Sequence, residues 1–297
     1  MNTCSPRDDF VTGQDGLRLH VREWGPRASA ALPVVCLPGL ARTTADFETL
    51  AQALAADIRT RRRVLAVDSR GRGKSEYDRN PTNYSLAAEL ADLLAVLTAT
   101  SIAKAVFIGT SRGGILTMLL GPARPTAIAG CVLNDIGPVI KPTGLARIKG
   151  YVGKLPEPES FEAAADGLAR LFGTQFPKLT RRDWLAFAQR TFKQAGERIV
   201  PDYDPQLATI LEQVDVENPL PPLWKELDSL AGSPMMVIRG SNSDILSAAT
   251  VAAMRERRSQ LEVLEVPDQG HAPLLAEPET IQRIAEFVAA CDAREGP

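Results

Sequence analysis

Short, mostly apolar runs recur along the first half of the chain and again near its end, each bounded by polar or glycine-rich segments. Apolar runs of four to eight residues are typical of strands that are buried on both faces. The segments between them have apolar residues at helical spacing, as in the leucine stripe of residues 85–97. We predict strands over 17–24, 32–40, 63–71, 104–109, 128–135, 234–240 and 261–267, and helices over 46–56, 85–97, 247–258 and 277–290. This alternation predicts an α/β fold in which helices cover both faces of a parallel sheet.

The alternation breaks between residues 135 and 233, where no run is as apolar or as β-branched as the predicted core strands. Helical patterns over 161–172, 180–195 and 205–214 are joined there by proline-rich turns. We therefore predict a helical insertion between two sheet strands, with an independent structural domain as the alternative. An insertion at the carboxyl edge of a parallel sheet lies over the place where such sheets bind ligands.

Composition and charge narrow the classes of function. The 297 residues are 44% apolar and 24% charged with a net charge of −2, so the chain lacks the basic excess of a nucleic-acid-binding protein. No apolar run reaches the roughly 18 residues of a membrane helix, and the N-terminal MNTCSPRDDF lacks the apolar core of a secretory signal. The four cysteines show no CxxC or Cys/His ligand spacing. We therefore expect a cytoplasmic protein without nucleic-acid or membrane partners, disulfides or a cysteine-bound metal.

The sequence GTSRG at 109–113 matches G-x-S-x-G, the pattern of a nucleophile elbow. It follows the predicted strand 104–109 and precedes a helical pattern, which is the context that the elbow requires. So sharp a turn strains the backbone at Ser111 and leaves no room for side chains two residues away on either side. The following helix points the positive end of its dipole at the serine, which favours an oxyanion there. Ser111 is therefore the predicted nucleophile.

A serine nucleophile needs a general base, and the chain has two histidines. His20 lies in the predicted strand 17–24, ahead of the buried strands, where we expect it on the strand surface. His271 follows the last predicted strand, in a loop at the carboxyl edge of the sheet where Ser111 also lies. We therefore predict His271 as the base.

The third residue must be a carboxylate that accepts the remaining imidazole N–H. Asp244 lies just beyond the predicted strand 234–240, and the chain order serine, acid, histidine is the one found with this elbow. Asp135, at the end of the preceding strand, is the alternative, and Asp268 has the character of a turn residue. We predict Asp244 as the acid, and we expect Asp135 to cap or brace the first turn of the insertion.

An acyl-transfer site also needs hydrogen-bond donors for the developing oxyanion. One expected donor is the backbone N–H of Arg112, directly after the nucleophile. The other is expected from the loop after the strand that ends at 37–39, where the Leu40 N–H is best placed. Gly39 lets the backbone in this loop approach a ligand closely.

These motifs resemble the α/β-hydrolase superfamily over nearly the whole chain, and within it the bacterial carboxylesterase-like serine hydrolases. The matching features are LPGL at 37–40, DSRGRGKS at 68–75, the elbow at 109–113, LNDIGP at 133–138, and the late aspartate and histidine. The resemblance implies an α/β-hydrolase fold with a sheet of about eight mostly parallel strands. It also implies a core domain formed by 1–136 and 233–297, with residues 137–232 as a helical cap (lid).

One position departs from the superfamily pattern, because many members have His-Gly where this chain has Pro38-Gly39. The expected oxyanion donor in this loop is a backbone N–H, which does not depend on the side chain at position 38. We therefore expect the oxyanion hole to be retained, with a loop that is anchored differently.

The predicted function is hydrolysis of small or medium-sized carboxylic esters through an acyl-enzyme, with no cofactor and no metal. Thioester, lactone or carbon–carbon bond hydrolysis and acyl transfer are alternatives on the same triad, because the shape of the pocket decides among them. A non-catalytic, ligand-binding member of the fold would typically have lost a triad residue, and none is missing here. Trp184 and Phe187 are candidates for binding the acyl group, with core packing of the cap as the alternative. The sequence predicts no particular oligomeric state.

Overall fold

Strands and helices alternate along the part of the chain that the computed structural model describes, which is residues 5–57, 60–212, 215, 217 and 219–295. The strands are β1 (Arg7–Thr12), β2 (Arg18–Trp24), β3 (Val34–Leu37), β4 (Val64–Val67), β5 (Ala105–Thr110), β6 (Ile128–Asn134), β7 (Phe192–Ala195), β8 (Arg198–Pro201), β9 (Met235–Gly240) and β10 (Glu262–Val266). The α-helices are α1 (Glu48–Ala56), α2 (Leu86–Ala99), α3 (Arg112–Ala123), α4 (Pro142–Tyr151), α5 (Phe161–Phe172), α6 (Arg181–Thr191), α7 (Trp224–Asp228), α8 (Ala248–Arg257) and α9 (Pro278–Glu295).

Eight of these strands form one sheet in the order β1-β2-β4-β3-β5-β6-β9-β10. The neighbours from β4 to β10 run parallel, whereas β2 pairs antiparallel with both β1 and β4 at one edge. The prediction of a mostly parallel sheet of about eight strands is therefore confirmed.

Both faces of the sheet are buried, which explains why its central strands are apolar without alternation. In β5, Phe107 packs into one hydrophobic cluster and Val106 and Ile108 pack into the other, because successive side chains of a strand point to opposite faces. Helices α2, α3 and α8 cover the first face, and α1 and α9 cover the second. Each face therefore has its own helical layer, as the sequence predicts.

The antiparallel edge departs from the sequence prediction in two respects. Strand β1 was not predicted, because it is short, largely exposed and contains Asp8 and Asp9 in place of an apolar run. His20 is buried between two carboxylates, with Nδ1 2.7 Å from Asp68 and Nε2 3.0 Å from Asp8, so its expected position on the strand surface is wrong. The pairing of β1 with β2 brings Asp8 to the ring and covers it.

A long segment between β6 and β9 contains α4 to α7 and the β7–β8 hairpin. The predicted helix 161–172 is confirmed as α5. The predicted helix 180–195 ends early at Thr191, and the chain turns back through Gly196 to form the hairpin. The predicted helix 205–214 is instead a 3-10 helix over Pro205–Leu211, and its last two positions lie outside the described residues. Helix α4 is an additional element, which begins with a proline at its first position.

Helix α3 begins directly after β5 and crosses β3 at very short range. A Cβ atom on Gly113 would lie 2.0 Å from the backbone oxygen of Leu37, so an alanine there has to displace the strand or the helix. Gly150, in α4, is the opposite case, since among the described residues no atom beyond its chain neighbours and the nearby backbone of its own helix lies within 4 Å of the corresponding Cβ position.

We expect Gly113→Ala to lower the free energy of unfolding by about 3 kcal/mol, because overpacking against a backbone atom strains the core. Gly150→Ala is the matched control and should raise it by up to about 1 kcal/mol, because alanine is the better helix former. Denaturant unfolding curves of the two variants measure both effects. A Gly113→Ala midpoint equal to that of the wild type would contradict the close approach of α3 and β3.

Candidate active site

Ser111 lies at the sharp turn between β5 and α3. Its backbone has φ 51° and ψ −114°, a region that residues other than glycine rarely occupy. A Cβ atom on Gly109 would lie 2.5 Å from the backbone oxygen of Gly113, so the turn closes only because both positions lack a side chain. The predicted strand–turn–helix context of the GTSRG motif is therefore present, with a strained serine at its apex.

His271 lies in the loop after β10, and its ring reaches Ser111. Its Nε2 is 2.8 Å from Ser111 Oγ. Two contacts hold the loop in place: the His271 N–H donates to Gln175 Oε1 at 3.2 Å, and Asn134 donates to the Pro273 carbonyl at 2.9 Å. Gln175 follows α5, so the segment between β6 and β9 helps to fix the imidazole.

The other ring nitrogen of His271 faces Asp135. His271 Nδ1 lies 2.8 Å from Asp135 Oδ2, and the side chain of Asp135 is fully buried. The same carboxylate accepts the Gly240 N–H at 2.9 Å and the Ser243 hydroxyl at 2.6 Å. These donors compensate the buried charge, and with His271 Nδ1 protonated they leave Nε2 free to accept the Ser111 proton.

Asp244 does not meet His271, so the geometry contradicts its prediction as the acid. Its two carboxylate oxygens accept from Arg147 of α4, from Nε at 2.6 Å and from Nη2 at 2.9 Å. Burial raises the pKa of the Asp244 carboxyl, but Arg147 outweighs this effect and the pKa lies below its usual value. The two aspartates have exchanged their expected roles, because Asp244 braces the first helix after β6 and Asp135 meets the imidazole.

The position of Asp135 in the chain favours its contact with His271. Asp135 follows β6 directly, and β6 lies between the serine strand β5 and β9, so its side chain starts next to the turn at Ser111. Its φ of 55° turns the chain sharply at this point, a conformation that aspartate tolerates better than most residues. Asp244 lies four residues beyond the end of β9, far enough for its loop to turn toward α4.

The two expected oxyanion donors, Leu40 and Arg112, lie on either side of a buried cluster of charges. Arg72 donates from Nε to the Leu40 carbonyl at 2.7 Å, and its Nη1 lies 2.8 Å from Glu89. Glu89 also accepts from Arg112 Nε at 2.7 Å. Burial lowers the pKa of the Arg72 guanidinium, whereas the two arginines outweigh burial at Glu89 and hold the pKa of that carboxyl below its usual value.

A hydrogen bond from this cluster holds the loop after β3. Arg72 fixes the Leu40 peptide through its carbonyl, and the Arg42 N–H donates to the Gly39 carbonyl at 3.3 Å within the same loop. Arg112 is the first residue of α3, where the backbone N–H has no partner within the helix. Both expected donor residues are thus held by hydrogen bonds to the same group of buried charges.

A cavity of about 100 Å³ opens next to Ser111 and His271, between the sheet edge and the segment from β6 to β9. Its wall is mainly apolar and aromatic, with contributions from Leu40, Leu168, Phe172, Phe176 and Phe187. Trp184 lies behind Phe187, with stacked rings whose centroids are 5.9 Å apart at an interplanar angle of 23°. Of the two predicted acyl-binding residues, Phe187 therefore faces the cavity, whereas Trp184 supports it from the aromatic core.

The described residues contain no group of three or more His, Cys, Asp or Glu side chains arranged to hold a metal ion. None of the helices in this part of the chain combines the length and apolar character needed to cross a membrane.

Known proteins resemble this chain over 82% to 97% of its length. A 3-hydroxybutyrate-oligomer hydrolase from Cupriavidus necator is 33% identical, with 96% of this chain and 98% of that protein aligned. The mouse (Mus musculus) sn-1-specific diacylglycerol lipase ABHD11 is 27% identical over 82% of this chain and 76% of its own length. The crystal structure of an alpha/beta hydrolase from Novosphingobium aromaticivorans has a TM-score of 0.89 and 42% identity, covering 97% of this chain and 99% of that chain.

Residues 34–283 match the model of the alpha/beta hydrolase family. This range includes the elbow at Ser111, the aspartates Asp135 and Asp244, and His271. The match agrees with the eight-stranded, mostly parallel sheet and its two helical layers. The chain therefore belongs to the alpha/beta hydrolase family and is a hydrolase.

Proposed function

We propose that this hydrolase cleaves small or medium-sized carboxylic esters, with Ser111 as nucleophile, His271 as general base and Asp135 as the acid that orients the base. The observation that carries the proposal is the chain of two 2.8 Å hydrogen bonds from Asp135 through His271 to Ser111, which ends at an apolar cavity. A hydroxyl, an imidazole and a buried carboxylate in this order are the groups that acyl transfer requires.

The reaction follows from these positions. Ser111 Oγ attacks the ester carbonyl while His271 Nε2 takes its proton, and Asp135 stabilises the imidazolium. The backbone N–H groups of Leu40 and Arg112 hold the oxyanion of the tetrahedral intermediate. When the intermediate collapses, the imidazolium protonates the leaving alcohol and Ser111 keeps the acyl group. His271 then takes a proton from water, whose attack releases the acid and restores the serine.

The choice of substrate is supported by the cavity and by the relatives. The cavity has a volume of about 100 Å³ and a mainly apolar wall, so it suits a short acyl or alcohol group more than a long chain. The Cupriavidus necator relative is a hydrolase of 3-hydroxybutyrate oligomers, and the mouse relative is a lipase. Both names describe hydrolysis of esters, which agrees with the proposed reaction.

We also propose that residues 137–232 act as a cap on a core domain formed by 1–136 and 233–297. The proposal is supported by the cavity wall, since Ile148, Leu168 and Phe187 from this segment meet Ser111 and His271 from the core around one space. Substrate contacts from the cap would then set the preferred size of the ester, while the core supplies the reacting groups.

The identity of the acid gives the first test. Asp135→Asn should lower kcat on p-nitrophenyl acetate by about 10⁴-fold, because the imidazole then loses its correct tautomer. Asp244→Asn, the matched control, should stay within about tenfold of the wild type, since its bond to Arg147 is structural. Ser111→Ala sets the baseline, and melting curves confirm that each variant is folded. An inactive Asp244→Asn with an active Asp135→Asn would assign the acid to Asp244.

The cavity wall gives a second test. Phe187→Ala should shift the preference among p-nitrophenyl esters toward longer acyl chains, because it removes a ring that faces the cavity. Trp184→Phe changes the ring behind that wall and should lower stability while it leaves the chain-length profile as in the wild type. The profile of kcat/KM from acetate to octanoate measures the difference. An unchanged profile for Phe187→Ala would show that this ring does not limit the acyl chain.

A further inference from the structure

Arg42 is a cation in the wall of the cavity that the proposed mechanism does not use. It follows Leu40 by two residues and lines the cavity together with Ser111. A Cβ atom on Gly39 would lie 3.4 Å from Arg42 Cγ and 3.8 Å from Ser111 Cβ, so these two side chains flank the same glycine. The guanidinium carbon lies 4.6 Å from the ring centroid of Phe187, which places the charge against the aromatic part of the wall.

The hydrogen bonds of Arg42 leave donors available. Nε donates to Asp46 Oδ2 at 2.7 Å, Nη2 donates to the other oxygen of Asp46, and Nη1 donates to Thr191 Oγ1 at 2.5 Å. Among the described residues these bonds use three of the five N–H donors of a guanidinium, so two are left for a ligand in the cavity. Burial lowers the pKa of Arg42, but Asp46 outweighs this effect and keeps the group cationic.

Arg42 shares its carboxylate partner with a second arginine. Asp46 is shared with Arg190 of α6, whose Nε lies 3.6 Å from Asp46 Oδ1. The guanidinium carbon of Arg190 also lies 6.0 Å from the ring centroid of Phe187, but Arg190 is not among the residues that line the cavity. Asp46 is therefore divided between two guanidinium groups, and a ligand carboxylate next to Arg42 would give this arginine a second charge-assisted partner.

We propose that Arg42 forms a carboxylate-binding subsite beside the ester site, and that the preferred substrates are esters that carry a free carboxylate a few bonds from the scissile carbonyl. Esters between hydroxy acids and half-esters of dicarboxylic acids have this chemistry. The inference rests on the proposed ester hydrolysis and adds the charge of the substrate to it. An arginine that only joined Asp46 to Thr191 would give no preference for charged esters. A structural role and a substrate-binding role can therefore be distinguished by measuring this preference.

The test compares esters that differ only in the charge of one group. Phenyl hydrogen adipate carries the carboxylate on the acyl side, and the ester dimer of 3-hydroxybutyric acid carries it on the alcohol side. The matched neutral compounds are the corresponding primary carboxamides, which have nearly the same shape. The quantity measured is the ratio of kcat/KM for the carboxylate to kcat/KM for the carboxamide.

For at least one of the two pairs we expect a ratio of about 10-fold to 100-fold in the wild type, the range for a charge-assisted hydrogen-bonded contact. Arg42→Met should bring this ratio to about one or lower, because Asp46 then repels the carboxylate. Arg42→Lys should give an intermediate ratio, because lysine keeps the positive charge but loses the planar pair of N–H donors. Arg190→Met is the matched control, since it removes a cation from the same aspartate outside the cavity wall, and it should lower the ratio less than threefold.

The wild-type protein alone already distinguishes the possible failures. Equal hydrolysis of carboxylates and carboxamides would overturn the subsite and leave the proposed ester hydrolysis intact. Hydrolysis of none of the four esters would count against the proposed function itself. If Arg42→Met does not fold, competitive inhibition of p-nitrophenyl acetate hydrolysis by butyrate and butyramide provides the second readout. Butyrate should bind the wild type more tightly than butyramide and keep only part of this advantage in Arg42→Lys. Equal inhibition of the wild type by both compounds would contradict the proposal.

Discussion

The buried carboxylate of Asp135 is the point on which the arrangement of the site depends. It receives the backbone N–H at the end of β9, the hydroxyl of Ser243 in the loop after β9, and the imidazole of His271 from the loop after β10. A fully buried charge is costly unless several donors meet it, so this single group joins the ends of three strands. The ring of His271 reaches Ser111 because its other nitrogen is fixed in this way.

Contacts between the segment from β6 to β9 and the core surround the same cavity. Arg147 of α4 pairs with Asp244, Gln175 accepts from the backbone of His271, and Thr191 accepts from Arg42. Each contact joins a polar group of that segment to a loop at the carboxyl edge of the sheet. The segment is therefore part of the site, and displacing it would break hydrogen bonds of the residues that flank the reacting groups.

The sequence predicted the central sheet well because its strands are buried on both faces and leave short runs that are apolar throughout. It also predicted the elbow, since the glycines at 109 and 113 are required by close contacts that no other residue allows. The carboxylate that meets His271 differs from the predicted one for a physical reason: Asp135 and Asp244 both follow strands at the same edge, and local sequence does not say which loop turns toward His271. The orientation of each aspartate is decided by a hydrogen-bond donor that is distant in sequence. Ser243 donates to Asp135, and Arg147 donates to Asp244.

Elements with weak hydrophobic signals were also missed. Strand β1 is polar and exposed, and strand β7 continues a helical pattern that ends at Thr191 without glycine or proline to mark the change. The hydrogen bond from Arg72 to the Leu40 carbonyl depends on how β4 and β3 lie side by side in the sheet. Charged residues that become buried through tertiary contacts leave no periodic pattern in the sequence. The contacts of Arg72 and Arg42 are therefore seen only in the structure.

The central claim is that His271, held by Asp135, activates Ser111 as a nucleophile. The most direct measurement is the rate and site of reaction with a fluorophosphonate, followed by peptide mass spectrometry of the digested protein. The account predicts a single adduct on Ser111 in the wild type, formed much more slowly in Asp135→Asn and at the wild-type rate in Asp244→Asn. An adduct on another residue, or equal rates in the wild type and Asp135→Asn, would contradict it.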